Sequence, residues 1–234
     1  MHFRGSGAVP PRTPDTVNLM IHCRDLHKHY RSGPITKTVL RGVDFTINPR
    51  DRIGLLGRNG AGKSTLIRLI GGVEMPSKGK IVRKMSCSWP LGFHGGFQGS
   101  LTGFDNARFI ARIYDKPYRE MRDFIEEFTE LGMQLRMPVK NYSSGLRARL
   151  AFALSLAIEF ECYLIDEVIM VGDRAFQKKC EEEFFEQRQD RALLLASHST
   201  SLVKKYCNRA IVLHQGVATM YEDVGEALTT YEAL

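Results

Sequence analysis

The hydrophobic residues of the chain follow two kinds of pattern that are typical of β-strands, and a third pattern, described below, that is typical of helices. Val43, Phe45 and Ile47 alternate with polar residues, which is the period of a half-buried strand. The runs 162–165 and 192–196 are largely apolar without alternation, which is typical of strands buried on both faces of a parallel sheet. The patterns therefore indicate an α/β fold.

Helical spacing dominates the middle of the chain. We predict helices near 105–114 and 119–131, and in the second of these the hydrophobic residues share one face: Phe124, Ile125, Phe128 and Leu131. Another helical stretch is expected around 176–189. The first two of these helices predict a helical subdomain, at about 86–160, inserted into the core that contains the sheet.

The strongest motif is Gly57-x-x-x-x-Gly62-Lys63-Ser64, which follows an apolar run and precedes a helical pattern. That order is typical of a phosphate-binding loop. Glycines let backbone N–H groups point at phosphate oxygens, and the helix adds its positive N-terminal end. Lys63 supplies a cation for the β- and γ-phosphates, and the Ser64 hydroxyl can reach Mg²⁺. The sequence therefore predicts that a nucleoside triphosphate is bound by Gly57, Arg58, Asn59, Gly60, Ala61, Gly62, Lys63, Ser64 and Thr65.

Polar side chains stand at the ends of the two buried runs. Asp166 and Glu167 follow 162–165, and His198 follows 192–196. Ligands of doubly wound sheets bind outside the carboxyl ends of the strands. We therefore expect Asp166 to hold Mg²⁺ and Glu167 to polarise the attacking water, with His198 bonding the γ-phosphate or holding the water in place.

Two further stretches are candidates for contacts with the nucleotide. Tyr30 lies upstream of the phosphate loop, where an aromatic ring could stack on a base or pack within the fold. Ser143, Ser144 and Gly145 open an Ala- and Leu-rich helix that is predicted to run to about Phe160. The serines are suitable N-caps, and a helix start of this composition is also a good anion site.

Composition narrows the possible functions. The 234 residues are 43% hydrophobic and 25% charged, which fits one globular domain at 20–234 after a flexible leader at 1–19 that is rich in Gly and Pro. No apolar stretch approaches the about 18 to 20 residues that cross a bilayer. The net charge of +7 comes from scattered Lys and Arg, so we expect a solvated surface and no nucleic-acid site. Five cysteines without a C-x-x-C pair favour a reducing cytoplasm over a metal site or disulfide framework.

The order of these motifs resembles that of the ATP-binding-cassette (ABC) ATPases, from about residue 20 onward. The resemblance implies an α/β P-loop NTPase cassette with a mainly parallel core sheet, an antiparallel β subdomain and an inserted α-helical subdomain. It identifies Tyr30 as the aromatic that stacks on adenine and 57–64 as the Walker A loop. Asp166 ends the Walker B strand, and Glu167 is the catalytic glutamate.

The same resemblance identifies 143–145 as the signature motif, His198 as the switch histidine and Asp173 as the D-loop aspartate. Leu146 stands where the general signature has glutamine, and Ser144 stands where it has its first glycine. Gln98 is a candidate for the Q-loop residue.

A narrower resemblance is to the ATPase subunits of capsular-polysaccharide exporters of Gram-negative bacteria. It rests on Ser88-Trp89-Pro90-Leu91, on 96–103, on 142–145 and on Glu167-Val168-Ile169-Met170-Val171-Gly172-Asp173. O-antigen and teichoic-acid export ATPases share the Val-Gly-Asp pattern and remain alternatives. A soluble cassette that acts on nucleic acid or the ribosome is a further alternative, and a P-loop kinase would leave the signature stretch unexplained.

The resemblance also implies partners. Two copies are expected to close around two Mg·ATP, with each signature motif facing the Walker A loop of the other copy. The glycine-rich aromatic stretch 89–103 either docks a polytopic membrane permease or packs its rings within its own domain. The expected location is peripheral, on the cytoplasmic face of the bacterial inner membrane.

Overall fold

The structure, a computed structural model, describes residues 19–90, 98–166 and 173–234. Three predictions fall wholly or largely outside this part of the chain. They are the flexible leader, the middle of the 89–103 stretch and the catalytic role of Glu167.

A five-stranded sheet forms the centre of the molecule, in the order β5-β6-β3-β7-β8. Its first four strands are parallel and its last is an antiparallel edge strand. The strands are β3 (Arg52–Leu56), β5 (Cys162–Asp166), β6 (Ala192–Ala196), β7 (Arg209–His214) and β8 (Val217–Tyr221). The apolar runs of the sequence are therefore the strands of this sheet, as predicted.

A separate antiparallel sheet of three strands has the order β2-β1-β4. Its strands are β1 (Ile21–Ser32), β2 (Ile35–Ile47) and β4 (Lys78–Arg83). The alternating residues Val43, Phe45 and Ile47 form only the last part of β2. Short-range alternation detects this part because it is buried on one face, whereas the beginning of β2 is exposed.

Seven α-helices occur in the described residues: α1 (Lys63–Ile70), α2 (Gly103–Ile113), α3 (Tyr118–Thr129), α4 (Ser144–Leu156), α5 (Arg174–Glu181), α6 (Thr200–Tyr206) and α7 (Val224–Glu232). Two helices are shorter than the sequence predicts. The fourth ends at Leu156 rather than near residue 160, and the fifth passes into a short π-helix at Glu182–Glu186. Among the described residues, none of the helices combines the length and the hydrophobicity of a membrane span.

The core sheet is buried on both faces because a hydrophobic cluster covers each face, and successive residues of a strand point into the two clusters in turn. In β5, Tyr163 and Ile165 join a cluster with helices α2 to α5, whereas Cys162 and Leu164 join α1 and the antiparallel sheet. A mainly parallel sheet, an antiparallel sheet and a helical segment between β4 and β5 confirm the predicted fold class.

Candidate nucleotide-binding site

The glycine loop 57–62 joins the central strand β3 to the first turn of α1. Gly60 and Gly62 have φ values of +79° and +110°, which residues with a side chain rarely adopt. At Gly62 a Cβ atom would also lie 2.8 Å from Cγ1 of Val39 in β2. Glycine at this position is therefore needed for the backbone conformation and for the close approach of β2.

Lys63 begins α1 and is only 6% exposed. Its Nζ donates a hydrogen bond to the carbonyl oxygen of Gly57, at 2.7 Å. The Lys63 side chain therefore folds back over the phosphate loop and places its ammonium group there. A cation, the N-terminus of α1 and the loop backbone all favour an anion at the same place.

A polar contact joins the phosphate loop to the end of β5. Ser64 Oγ donates to Asp166 Oδ1 at 3.0 Å, although the two residues are 102 positions apart. A hydroxyl and a carboxylate are the hard oxygen donors that Mg²⁺ prefers, so the pair fits a magnesium site. Sequence reasoning predicted both residues for the metal, and the structure brings them together.

A cavity of about 400 Å³ lies over the loop. Its lining includes every residue from Arg58 to Thr65 together with Tyr30, Lys37 and Val39. The described lining residues contain three cations and no carboxylate, which suits a polyphosphate electrostatically. Tyr30 is 37% exposed, so part of its ring is available for stacking.

Sequence reasoning missed Lys37 and Val39 as lining residues. The signal that could have found Lys37 is the turn at 31–34, because a hairpin closed there pairs Tyr30 with Lys37 across β1 and β2. Val39 carries no chemical signal of its own.

A second, larger cavity of about 800 Å³ adjoins the first and shares Lys37, Val39, Gly60 and Ala61 with it. The turn between β7 and β8 forms its far side, with His214 and Gly216 in the lining. The backbone N–H of Arg41 donates to the carbonyl oxygen of Gly216 at 2.8 Å, which joins the two sheets at this point. The phosphate loop is therefore held between both sheets.

The stretch 143–145 forms the exposed start of α4. Ser143 is the N-cap, and its Oγ accepts a hydrogen bond from the backbone N–H of Leu146 at 3.3 Å. Ser144 is the first helical residue, and both serines are exposed. The capping role is confirmed, whereas the role as a signature motif stays a prediction.

Asp173 caps the next helix, α5, by accepting a hydrogen bond from the backbone N–H of Phe176 at 2.9 Å. Its other carboxylate oxygen pairs with the guanidinium of Arg149 in α4. The bond from the Phe176 N–H and the charge of Arg149 lower the pKa of Asp173 below its ordinary value. The predicted D-loop residue is thus tied to the helix that the predicted signature motif opens.

The positions of His198 and Gln98 do not test the roles that the sequence predicts for them. His198 is exposed and follows β6, the strand between β5 and β3, so it lies at the same sheet edge as Asp166 and the phosphate loop. Gln98 lies before α2, where its backbone N–H and carbonyl bond the side chain of Asn106. The functional roles of both residues stay predictions.

Comparison with known proteins gives a family. The model of the family described as ABC transporter matches residues 40–170. The capsule polysaccharide export ATP-binding protein CtrD of Neisseria meningitidis serogroup B is 55% identical over 92% of the chain and 100% of that protein. The ATP-binding protein BexA of Haemophilus influenzae is 55% identical over 91% of the chain and 98% of its own length.

A solved structure agrees with the fold. The ATP-binding cassette MJ0796, as a dimer in a post-hydrolysis state with ADP and Pi, superposes with a TM-score of 0.73 at 18% identity. The superposition covers 87% of the chain and 98% of the cassette.

Proposed function

Since the chain belongs to the ABC transporter family, we propose that it is the ATP-hydrolysing subunit of an exporter of capsular polysaccharide. The observation that carries the proposal is the meeting of Ser64 and Asp166 beside the buried Lys63. The meningococcal relative, whose name states capsule polysaccharide export, supports the choice of cargo. We treat 20–234 as one ATPase domain in which about 86–160 is the helical insert.

In this proposal the loop and Lys63 bind the β- and γ-phosphates of ATP, and Tyr30 stacks on adenine. Ser64 and Asp166 would hold Mg²⁺, which when bound neutralises charge on the phosphates. Glu167, the residue after Asp166 in the sequence, polarises the water that attacks the γ-phosphate. His198 approaches the same edge from β6 and keeps that water or the γ-phosphate in place.

The active unit in this proposal is a homodimer that closes around two Mg·ATP. Its support is the exposed start of α4, where Ser143 and Ser144 offer hydroxyls and helix N–H groups toward solvent. In the closed dimer, these groups face the phosphates of the ATP that is bound to the Walker A loop of the second copy. Asp173, tied to α4 through Arg149, then moves with the signature motif as one body.

The membrane partner is a polytopic permease that docks near 89–103. At one end of this stretch Trp89 packs against Tyr114 and Phe160, with ring centroids 5.8 and 5.6 Å away. Beside Tyr114, Phe109 and Ile113 are 54% and 58% exposed, one turn apart on α2. Trp89 therefore packs beneath the proposed docking surface, and α2 contributes the exposed apolar side chains of that surface. Such docking holds the chain at the cytoplasmic face of the inner membrane.

Affinity purification of the Glu167→Gln chain from detergent-solubilised membranes with Mg·ATP tests this function. Mass spectrometry is expected to identify a polytopic polysaccharide-export subunit. The Lys63→Ala chain is the matched control, and it should neither bind ATP productively nor hydrolyse it.

Other outcomes separate the parts of the proposal. A permease of O-antigen or teichoic-acid export would replace the cargo and leave the transporter standing. Ribosomal proteins or nucleic acid without any membrane subunit would overturn export altogether. Unchanged ATP hydrolysis in the Glu167→Gln chain would overturn the role of that residue.

A further inference from the structure

One carboxylate beside the nucleotide cavity joins two separate elements of the fold. Glu74 Oε2 accepts a hydrogen bond from the Tyr30 hydroxyl at 2.7 Å and pairs with Lys28 Nζ at 3.1 Å. Its Oε1 accepts from Arg68 Nε at 2.6 Å. Tyr30 and Lys28 belong to β1, Arg68 belongs to α1, and Glu74 lies in the segment between α1 and β4. The carboxylate thus fixes β1 to the helix that the phosphate loop opens.

Lys28 also restrains the Tyr30 ring directly. Its Nζ lies 4.9 Å from the ring centroid, in a cation–π contact. The same ammonium donates to the carbonyl oxygen of Met75 at 2.9 Å, so it is anchored on a second side. A planar base can then stack only on the ring face that Lys28 leaves open.

The cluster continues to the phosphate loop. Arg68 Nη2 donates to Thr65 Oγ1 at 3.4 Å, and Thr65 follows Ser64 directly. Tyr30 Oη is itself 3.5 Å from Thr65 Oγ1. The ring and the phosphate loop are therefore held in one hydrogen-bonded unit with Glu74 at its centre.

We infer that Glu74 is a positioning residue, which holds the Tyr30 ring where it stacks on the nucleobase and thereby raises the affinity for the base rather than for the phosphates. The inference rests on the proposed role of Tyr30 in base stacking. The Tyr30 hydroxyl lies 2.7 Å from the Glu74 carboxylate and 3.5 Å from Thr65 Oγ1, so Glu74 is the closer of these two partners.

The ionisation of Glu74 agrees with this role. Burial works against the charged form, but hydrogen bonds from Tyr30, Arg68 and Lys28 lower the pKa of Glu74 to about 2. The carboxylate is therefore charged at neutral pH, and a charged acceptor holds a phenol hydroxyl more firmly than a neutral one does.

The test compares a ligand that has a base with one that has none. The affinities of Glu74→Ala and Glu74→Gln for ATP and for inorganic tripolyphosphate are measured by calorimetry in the presence of Mg²⁺. We expect Glu74→Ala to bind ATP about tenfold more weakly, with Glu74→Gln in between because its amide oxygen still accepts from Tyr30. Tripolyphosphate should bind both variants within about twofold of the original chain. Correspondingly, the KM for ATP should rise while kcat is unchanged.

A double-mutant cycle separates positioning from a general effect on stability. Tyr30→Phe keeps the ring and removes its hydroxyl, so Glu74→Ala should add nothing further in the Tyr30→Phe background. Glu126→Gln, an exposed substitution on α3, is the matched control and should bind both ligands normally. Additive losses, unchanged ATP affinity in Glu74→Ala, or an equal loss for tripolyphosphate would each overturn the inference. If Tyr30→Ala binds ATP normally, the stacking role fails first and the inference fails with it.

Discussion

Replacing either of two glycines of the phosphate loop by alanine tests how the loop is constrained. Gly60 and Gly62 both have positive φ, at +79° and +110°. A Cβ atom at Gly60 would meet nothing within 4 Å, whereas at Gly62 it would lie 2.8 Å from Val39 Cγ1 and 3.4 Å from Leu40 Cδ2. The two substitutions therefore share a backbone cost and differ in a steric cost.

The magnitudes follow from these distances. A left-handed conformation costs an L-residue about 1 to 2 kcal/mol, so Gly60→Ala should lower the free energy of unfolding by about that amount. Gly62→Ala adds a clash with a side chain on a neighbouring strand, and overpacking of this kind costs about 1 to 3 kcal/mol more. We expect a total of about 2 to 5 kcal/mol for Gly62→Ala.

Urea unfolding of both variants measures these free energies, and calorimetric titration with ATP measures the effect on the site. Val39→Ala removes the clashing methyl group, so the Val39→Ala/Gly62→Ala pair should recover the steric part alone. The reasoning is refuted if Gly62→Ala is no less stable than Gly60→Ala, or if Val39→Ala recovers nothing.

Three further predictions concern other contacts. The pKa of Glu74 is about 2 in the folded protein and lies below its unfolded value, so the free energy of unfolding should fall by about 1 to 2 kcal/mol between about pH 4.5 and pH 2. The effect is limited because the Glu74 side chain is 24% exposed and its charge is therefore partly screened. Acid unfolding of Glu74→Gln should lack this component. Arg149→Ala should lower the rate of ATP hydrolysis several-fold without changing ATP affinity, because it frees Asp173 from α4, and steady-state kinetics would contradict this if KM alone changed. Gly54→Ala should lower the free energy of unfolding by about 1 to 3 kcal/mol, because its Cβ would overlap Cγ1 of Val203, and Val203→Ala in the same chain should relieve this overlap in urea unfolding.

The part of the site that the sequence predicts is the part built from adjacent residues. The phosphate loop is recognisable because eight neighbouring positions must cooperate, and Asp166 because it ends a strand without polar residues. Alternation in β2 and continuous apolar runs in β5 and β6 report burial on one face or on two. These signals are local, so no knowledge of the fold is needed to detect them.

Contacts between distant segments could not be predicted in the same way. Glu74 meets Tyr30 across 44 positions and Arg149 meets Asp173 across 24, and neither pair has a distinctive local spacing. Helix α6, with seven residues, is too short to show a helical period in the sequence. Its start is nevertheless marked by Ser199, whose hydroxyl caps the helix by accepting from the Leu202 N–H at 3.4 Å.

The order of strands in the core sheet has a consequence for biosynthesis. The partners of β3 are β6 and β7, which come from the last third of the chain. The first residue of β3, Arg52, bonds the side chain of Asn208 across 156 positions. As the ribosome releases the chain, the β1–β2 hairpin can form at once, because its strands are joined by a tight turn. Strand β3 cannot pair until β6 and β7 have been synthesised, so its apolar residues stay exposed during that interval and are a binding site for chaperones.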